Sequence, residues 1–160
     1  MVNIILNYDA VAYVDGACRI DVGVGGWGVQ VITDDGIEEY CGGEYCTDAN
    51  RMELKAAVMA LEKIAVCSRV AVYSDSSYVV DGVLSWLPTW QRDWEFANRV
   101  PRTNSDLWHN LRGMIDNYKI SWRWVKGHSS NQGNRRADVL ATRGMEELIE
   151  DIDYGRMPDF

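Results

Sequence analysis

Four acidic residues sit where a folding chain has little reason to place a carboxylate. Asp15 closes the strand-like run Val11-Ala12-Tyr13-Val14, and Asp75 closes a second such run, "RVAVYSD" from Arg69. Glu53 falls in the first turns of a helix-periodic segment, beside its apolar stripe, and Asp138 lies between Ala137 and Leu140-Ala141 of another. Singly, each has an ordinary explanation as a cap, a solvated acid or, for Asp15-Gly16, a turn. Together, inward-leaning carboxylates repel one another unless a cation holds them. Hard divalent ions bind through carboxylate oxygen, and Mg²⁺ borrows further ligands from phosphates. Two such ions about 3.5–4 Å apart can stabilise both the attacking and the leaving oxygen of a phosphoryl displacement. Four carboxylates would balance two of them.

The elements that must position these acids follow from periodicity. Asp9 to Asp15 reads as a strand, followed by a glycine-rich turn and a second strand from Trp27 to Thr33. Asp34-Asp35-Gly36 is a hairpin signal, and Glu38 to Cys46 returns as the third strand of an antiparallel meander. The period then changes. "TDANRMELKAAVMALEKIAV" places Leu54, Ala57, Val58, Leu61, Ile64 and Ala65 at helical spacing, with Thr47 or Asp48 as cap. A short buried strand ends at Asp75, Ser76 to Trp86 looks helical, and a further helix is expected from Ser105 to about Asn117. The strand "KISWRWVKG", a polar loop "HSSNQGN" and a last helix from about Arg135 to Ile149 complete the chain. A meander followed by strands alternating with helices predicts an α/β fold, a five-stranded mixed sheet with helices packed on it. Parallel neighbours in such a sheet bring their carboxyl ends side by side, where ligands bind.

The 160 residues suit one domain with a sizeable core, and an apolar fraction of 47% argues against global disorder. No stretch approaches the roughly 18 apolar residues of a membrane span, and the N-terminus lacks a signal-like pattern, so a cytoplasmic protein with no membrane association is expected. Cys18, Cys41, Cys46 and Cys67 show no CxxC pairing and read as reduced thiols. The net charge of −8 argues at first against a polyanionic partner. However, Met145 to Phe160 carries −5 of it and Met1 to Gly144 only −3, which two divalent cations would turn into +1.

The blocks "YVDGAC…GGWG", "NRMELKAAVMAL", "SDSSYVVDGV" and "WRWVKGHSSNQGNRRADVLA" resemble the successive signatures of type I ribonuclease H, in family order from Tyr13 to Thr142. The resemblance implies a ribonuclease H-like fold, with the antiparallel meander joined to parallel strands and helices on both faces. It implies an Mg²⁺-dependent endonuclease that cleaves the RNA strand of RNA–DNA hybrids by two-metal catalysis, leaving 5′-phosphate and 3′-hydroxyl ends. Mn²⁺ would be an alternative ion. The family's acidic tetrad falls on Asp15, Glu53, Asp75 and Asp138, the four acids reached above. Its mobile-loop histidine falls on His128, which as a catalytic residue would carry a proton for the departing product.

On the substrate side, the resemblance places Asn50 and Ser77 at the hybrid's minor groove, where the 2′-hydroxyls mark the RNA strand. Gly16 would let backbone approach the nucleic acid. The sequence departs from the usual pattern at Asp21-Val22, Ala49 and Ser77. Trp86, Trp90 and Trp94 recur every four residues in the stretch that forms a DNA-holding handle in the family, and Trp86 and Trp90 are taken as substrate-binding candidates. Trp86 to Asp106 has no net charge and no lysine, so this handle would be electrically neutral. Resolvase or integrase relatives lack the NRMEL helix and KGH loop together, and a non-catalytic hybrid-binding module would have no use for an intact tetrad. A released reverse-transcriptase domain is a further alternative. The expected organisation is a catalytic domain over 1–144, then the end of the last helix and an acidic tail over 145–160, in a monomer.

Overall fold

The computed structural model describes residues 7–89 and 103–156. Strand β1 (Ala10–Arg19) is the middle of a sheet that is completed by β2 (Val24–Thr33), β3 (Gly36–Tyr45), β4 (Arg69–Ser74) and β5 (Lys119–Trp124), ordered β3-β2-β1-β4-β5. The β1-β2 and β2-β3 pairs are antiparallel, while β4 runs parallel to β1 and β5 parallel to β4. The mixed sheet is the one the sequence pattern calls for.

Alternation along β1 supplies two cores. Ala10, Ala12 and Val14 face α1 (Ala49–Lys63), α2 (Ser77–Asp81) and α3 (Ser105–Ile115), meeting Leu54, Leu61, Val79, Trp108 and Leu111. Val11 and Tyr13 face the other way, onto Ala71 and onto Ala137 of α4 (Gln132–Asp153). Helices therefore cover both faces. The long α4 crosses the sheet where β2 has no side chains: a Cβ at Gly28 would run into the Ala137 carbonyl and lie 2.7 Å from Leu140 Cβ.

Close packing on β2, by Met52 of α1 and Thr47 at Gly25 and by α4 at Gly26, explains one difference from the sequence-based expectation. Gly25 and Gly26 belong to β2, which starts at Val24 rather than Trp27, because small residues are needed there by helix packing and not by a turn. The turn itself is only Ile20 to Gly23, with Gly23 at φ +66°. Helix α1 starts as expected, its Arg51 N–H donating to Asp48 Oδ1 at 2.9 Å. It ends at Lys63 because Ile64 turns extended, which leaves Ala65 exposed beyond the stripe. The helix expected over Ser76 to Trp86 is a short α2 followed by a wider π-type turn, Gly82–Trp86. The bare Gly82 makes room for the Trp108 ring, since a Cβ there would sit 2.7 Å from Trp108 Cζ2. Helix α4 begins three residues earlier than its apolar pattern, because Asn131 caps it by accepting from Asn134 N–H at 2.9 Å. It continues unbroken through Gly144 to Asp153.

All four cysteines are free, and among the described residues no helix is long and apolar enough to cross a membrane. Trp90 to Arg102, most of the expected handle, lies outside the described residues.

Candidate active site

Parallel pairing between β1 and β4 runs from Ala10↔Val70 to Val14↔Ser74. The next residue on each strand is an aspartate, Asp15 and Asp75. Strand β1 does not end at Asp15, as its sequence suggested; it continues to Arg19, paired with β2 alone. What ends at Val14 is the parallel ladder, and the two acids occupy the opening where β4 turns away.

Glu53 arrives from the side. The residue after Asp15 is Gly16, where a Cβ would collide with the Glu53 backbone nitrogen and lie 2.7 Å from the Met52 carbonyl carbon. The missing side chain lets α1 press against β1, so its Glu53 carboxyl reaches Asp15. Gly16 is thus used first by packing within the chain. Oxygens of Asp15, Glu53 and Asp75 all lie within 4.8 Å of one another.

This closeness is electrostatically costly. Asp15 is only 5% exposed, and burial followed by repulsion from Asp75 pushes its carboxyl up to about 7. The Glu53 carboxyl is pushed higher still, by burial and then by the Asp15 charge. Asp15 Oδ1 accepts from the Gly16 N–H at 2.9 Å, whereas the buried Glu53 Oε2 has no hydrogen-bond partner. Asp75 Oδ2 accepts from Asn134 Nδ2 at 3.3 Å, and its backbone carbonyl accepts from the Trp124 indole at 3.0 Å. Three convergent carboxyl groups, two of them (Asp15 and Glu53) pushed up by burial and mutual repulsion, with one orphaned oxygen, offer the donor set of a hard divalent cation.

The group lies in a cleft of about 160 Å³. Asp138 opens onto it from α4 but falls outside the tight group of three. His128 stands on the rim, exposed, with its backbone in the left-handed region at φ +53°. Gly16 lines the cleft as well. Asn50 and Ser77 are exposed in the first turns of α1 and α2, close in sequence to Glu53 and Asp75 without lining the cleft. Trp86 is 39% exposed and sits edge-on to Tyr78, with centroids 5.8 Å apart, also outside the cleft. Trp90 is not among the described residues.

Two cleft residues went unassigned in the sequence. Asn134 is 2% exposed and holds Asp75, and Arg135 lines the cleft beside it. The available signal was position: Asn134 stands four residues before Asp138, hence on the same helix face.

The RNase H family model matches residues 7–146. The chain belongs to the ribonuclease H family. A Ribonuclease H of Alcanivorax borkumensis is 45% identical over 88% of this chain and 93% of its own length. That of Parvibaculum lavamentivorans is 46% identical over 86% and 92%. Among solved structures, LC9-RNase H1, a type 1 RNase H with the type 2 active-site motif, superposes with a TM-score of 0.73. It is 28% identical, over 86% of this chain and 72% of that one. The type I assignment made from the sequence blocks therefore holds, and membership makes the chain a nuclease of the hydrolase class.

Proposed function

We propose that this ribonuclease H is an endonuclease that hydrolyses the RNA strand of RNA–DNA hybrids, leaving 5′-phosphate and 3′-hydroxyl ends. The observation that carries the reading is the carboxylate group at the end of the β1-β4 ladder, with an orphaned Glu53 oxygen, inside this family's fold. Asp15, Glu53, Asp75 and Asp138 would hold two Mg²⁺ ions, with Mn²⁺ as an alternative. When bound, such ions stabilise charge on the attacking and leaving oxygens of the phosphodiester.

The chain's own groups do the rest. Asn134 orients Asp75 by donating to Oδ2, and the Gly16 N–H fixes Asp15. His128, on the rim, exchanges a proton with water as product departs. Gly16, Asn50 and Ser77 contact the minor groove, where the RNA 2′-hydroxyl distinguishes the strand to be cut. Trp86 and Trp90 hold the DNA strand. The catalytic domain is 1–144, with 145–160 completing the last helix and the acidic tail, and the protein works as a cytoplasmic monomer.

Labelled RNA–DNA hybrid, RNA duplex and DNA duplex, each with Mg²⁺ and with a chelator, test the reading. Internal cuts confined to the RNA of the hybrid, and lost with chelator, are expected. Cleavage of DNA duplex at a comparable rate, or cleavage that survives chelation, overturns it.

A further inference from the structure

An acidic cleft meets a polyanionic strand at a disadvantage, and some fixed cation near it should offset the repulsion. Seven of the nine described arginines are already engaged by carboxylates: Arg19, Arg51, Arg69, Arg112, Arg136, Arg143 and Arg156. Arg123 donates to the Tyr8 hydroxyl. Arg135 makes no ion pair among the described residues, although Arg136 beside it is bound by Glu39. It is exposed in the first turn of α4.

Its place is informative. Arg135 lines the carboxylate cleft and also a second, more open groove of about 540 Å³ that continues from it past His128, Ser129 and Ser130. The Ser129 hydroxyl oxygen accepts from the Asn131 N–H at 3.3 Å, which leaves its proton free for an outside acceptor. Asp138 borders both spaces too, three residues after Arg135 on the same helix, and adds negative charge that an incoming phosphate must pass. A guanidinium fork here has the geometry and the charge to take a phosphate oxygen pair.

Resting on the hybrid-cleaving function proposed above, we infer that Arg135 is a positioning residue that binds the RNA-strand phosphate next to the scissile one, in the groove formed with Ser129 and Ser130. It anchors the strand so that the scissile phosphate lies over Asp15, Glu53 and Asp75. It works by binding the neighbouring phosphate, so its loss raises KM more than it lowers kcat.

The test compares hybrid binding with Mg²⁺ across a salt series for the inactive Asp75→Asn protein and for Asp75→Asn carrying Arg135→Ala or Arg135→Lys. Arg135→Ala should bind about 3- to 10-fold more weakly at low salt, with a log-log salt slope shallower by about one. Arg135→Lys should restore the slope and part of the affinity. Hybrids with one RNA phosphate at a time made neutral as a methylphosphonate locate the contact. At one position beside the cleavage site, neutralisation should weaken binding by Arg135-containing protein and have no further effect on Arg135→Ala. In otherwise native enzyme, Arg135→Ala should raise KM by a similar factor with kcat changed less than about threefold. Equal salt slopes, or coupling at no position while Asp75→Asn still binds hybrid, overturn the role of Arg135 and leave the hybrid function standing. Failure of Asp75→Asn to bind hybrid at all, with no cleavage by the native enzyme, overturns both.

Discussion

Removing metal should make this protein less stable as pH rises through the neutral range, the reverse of ordinary acid denaturation. The perturbed groups are Asp15, pushed up to about 7, and Glu53, pushed higher, each by burial first and by the neighbouring carboxyl second. In the unfolded chain both titrate near 4. A folded pKa above the unfolded one means stability that is complete below about pH 4 and lost as pH rises through the folded value. Between about pH 5 and pH 7 the folded apoprotein holds at least one proton that the unfolded chain has released. Each such proton is worth about 1.4 kcal/mol per pH unit, so about 3 kcal/mol disappears over that window. Against a total of roughly 5–15 kcal/mol that loss is easily measured.

The arginine-paired acids do not mask it. Asp9, Asp21, Glu39 and Asp106 are all held below their ordinary values, chiefly by hydrogen bonds from arginine. Their contribution is present above about pH 4 and is lost only below it. Urea unfolding at several pH values in chelator gives the slope directly. Glu53→Gln, which removes one charge and relieves Asp15, should flatten it. Saturating Mg²⁺ should reverse it, since the ion replaces the retained protons and binds better as they leave. Parallel slopes for the native and Glu53→Gln apoproteins would show that the carboxyl group is not strained, and the electrostatic case for a cation site would fall.

Asp75→Asn should abolish cleavage while the apoprotein melts at the same temperature or higher, because one repulsive charge is gone; a lower melting temperature with activity retained would contradict both halves. His128→Ala should lower kcat by about 10²-fold with hybrid affinity nearly unchanged, and an unaltered kcat would leave His128 a loop residue only. Gly16→Ala should destabilise by roughly 1–3 kcal/mol in urea unfolding and displace Glu53, because its Cβ has no space against α1; native stability in this variant would refute the close approach.

The legible parts of the molecule were those governed by local repetition. The meander, the apolar stripe of α1 and the buried β4 run each follow from side-chain periodicity, and the structure places them within a few residues of expectation. Two of the departures share one cause. Gly25 and Gly26 looked like a turn, and Asn131-Gln132-Gly133-Asn134 looked like a loop, because glycine and asparagine break chains when nothing touches them. Here Met52 of α1 and the preceding Thr47 close on Gly25, α4 closes on Gly26, Tyr13 packs over Gly133, and Asn131 turns its side chain into a cap. Tertiary contact decided these residues, and a single sequence carries no record of it.

The same distinction runs through the site. Asp15 and Asp75 could be found because each interrupts an apolar run, so burial made the charge conspicuous. Asn134 and Arg135 interrupt nothing; they sit in the polar opening turn of a helix, where such residues are ordinary. Yet Asn134 is almost fully buried, its Nδ2 holds Asp75 and its Oδ1 has no partner. A polar side chain kept in that state costs stability unless a neighbour, here the site itself, makes use of it. Asn134→Ala should therefore remove little stability while weakening Mg²⁺ binding through Asp75, about 10- to 100-fold by analogy with other groups that orient metal ligands. Calorimetric titration of Mg²⁺ into both proteins decides the point. Equal affinities would mean that Asn134 is a packing residue, and that the cleft's organisation stops at its carboxylates.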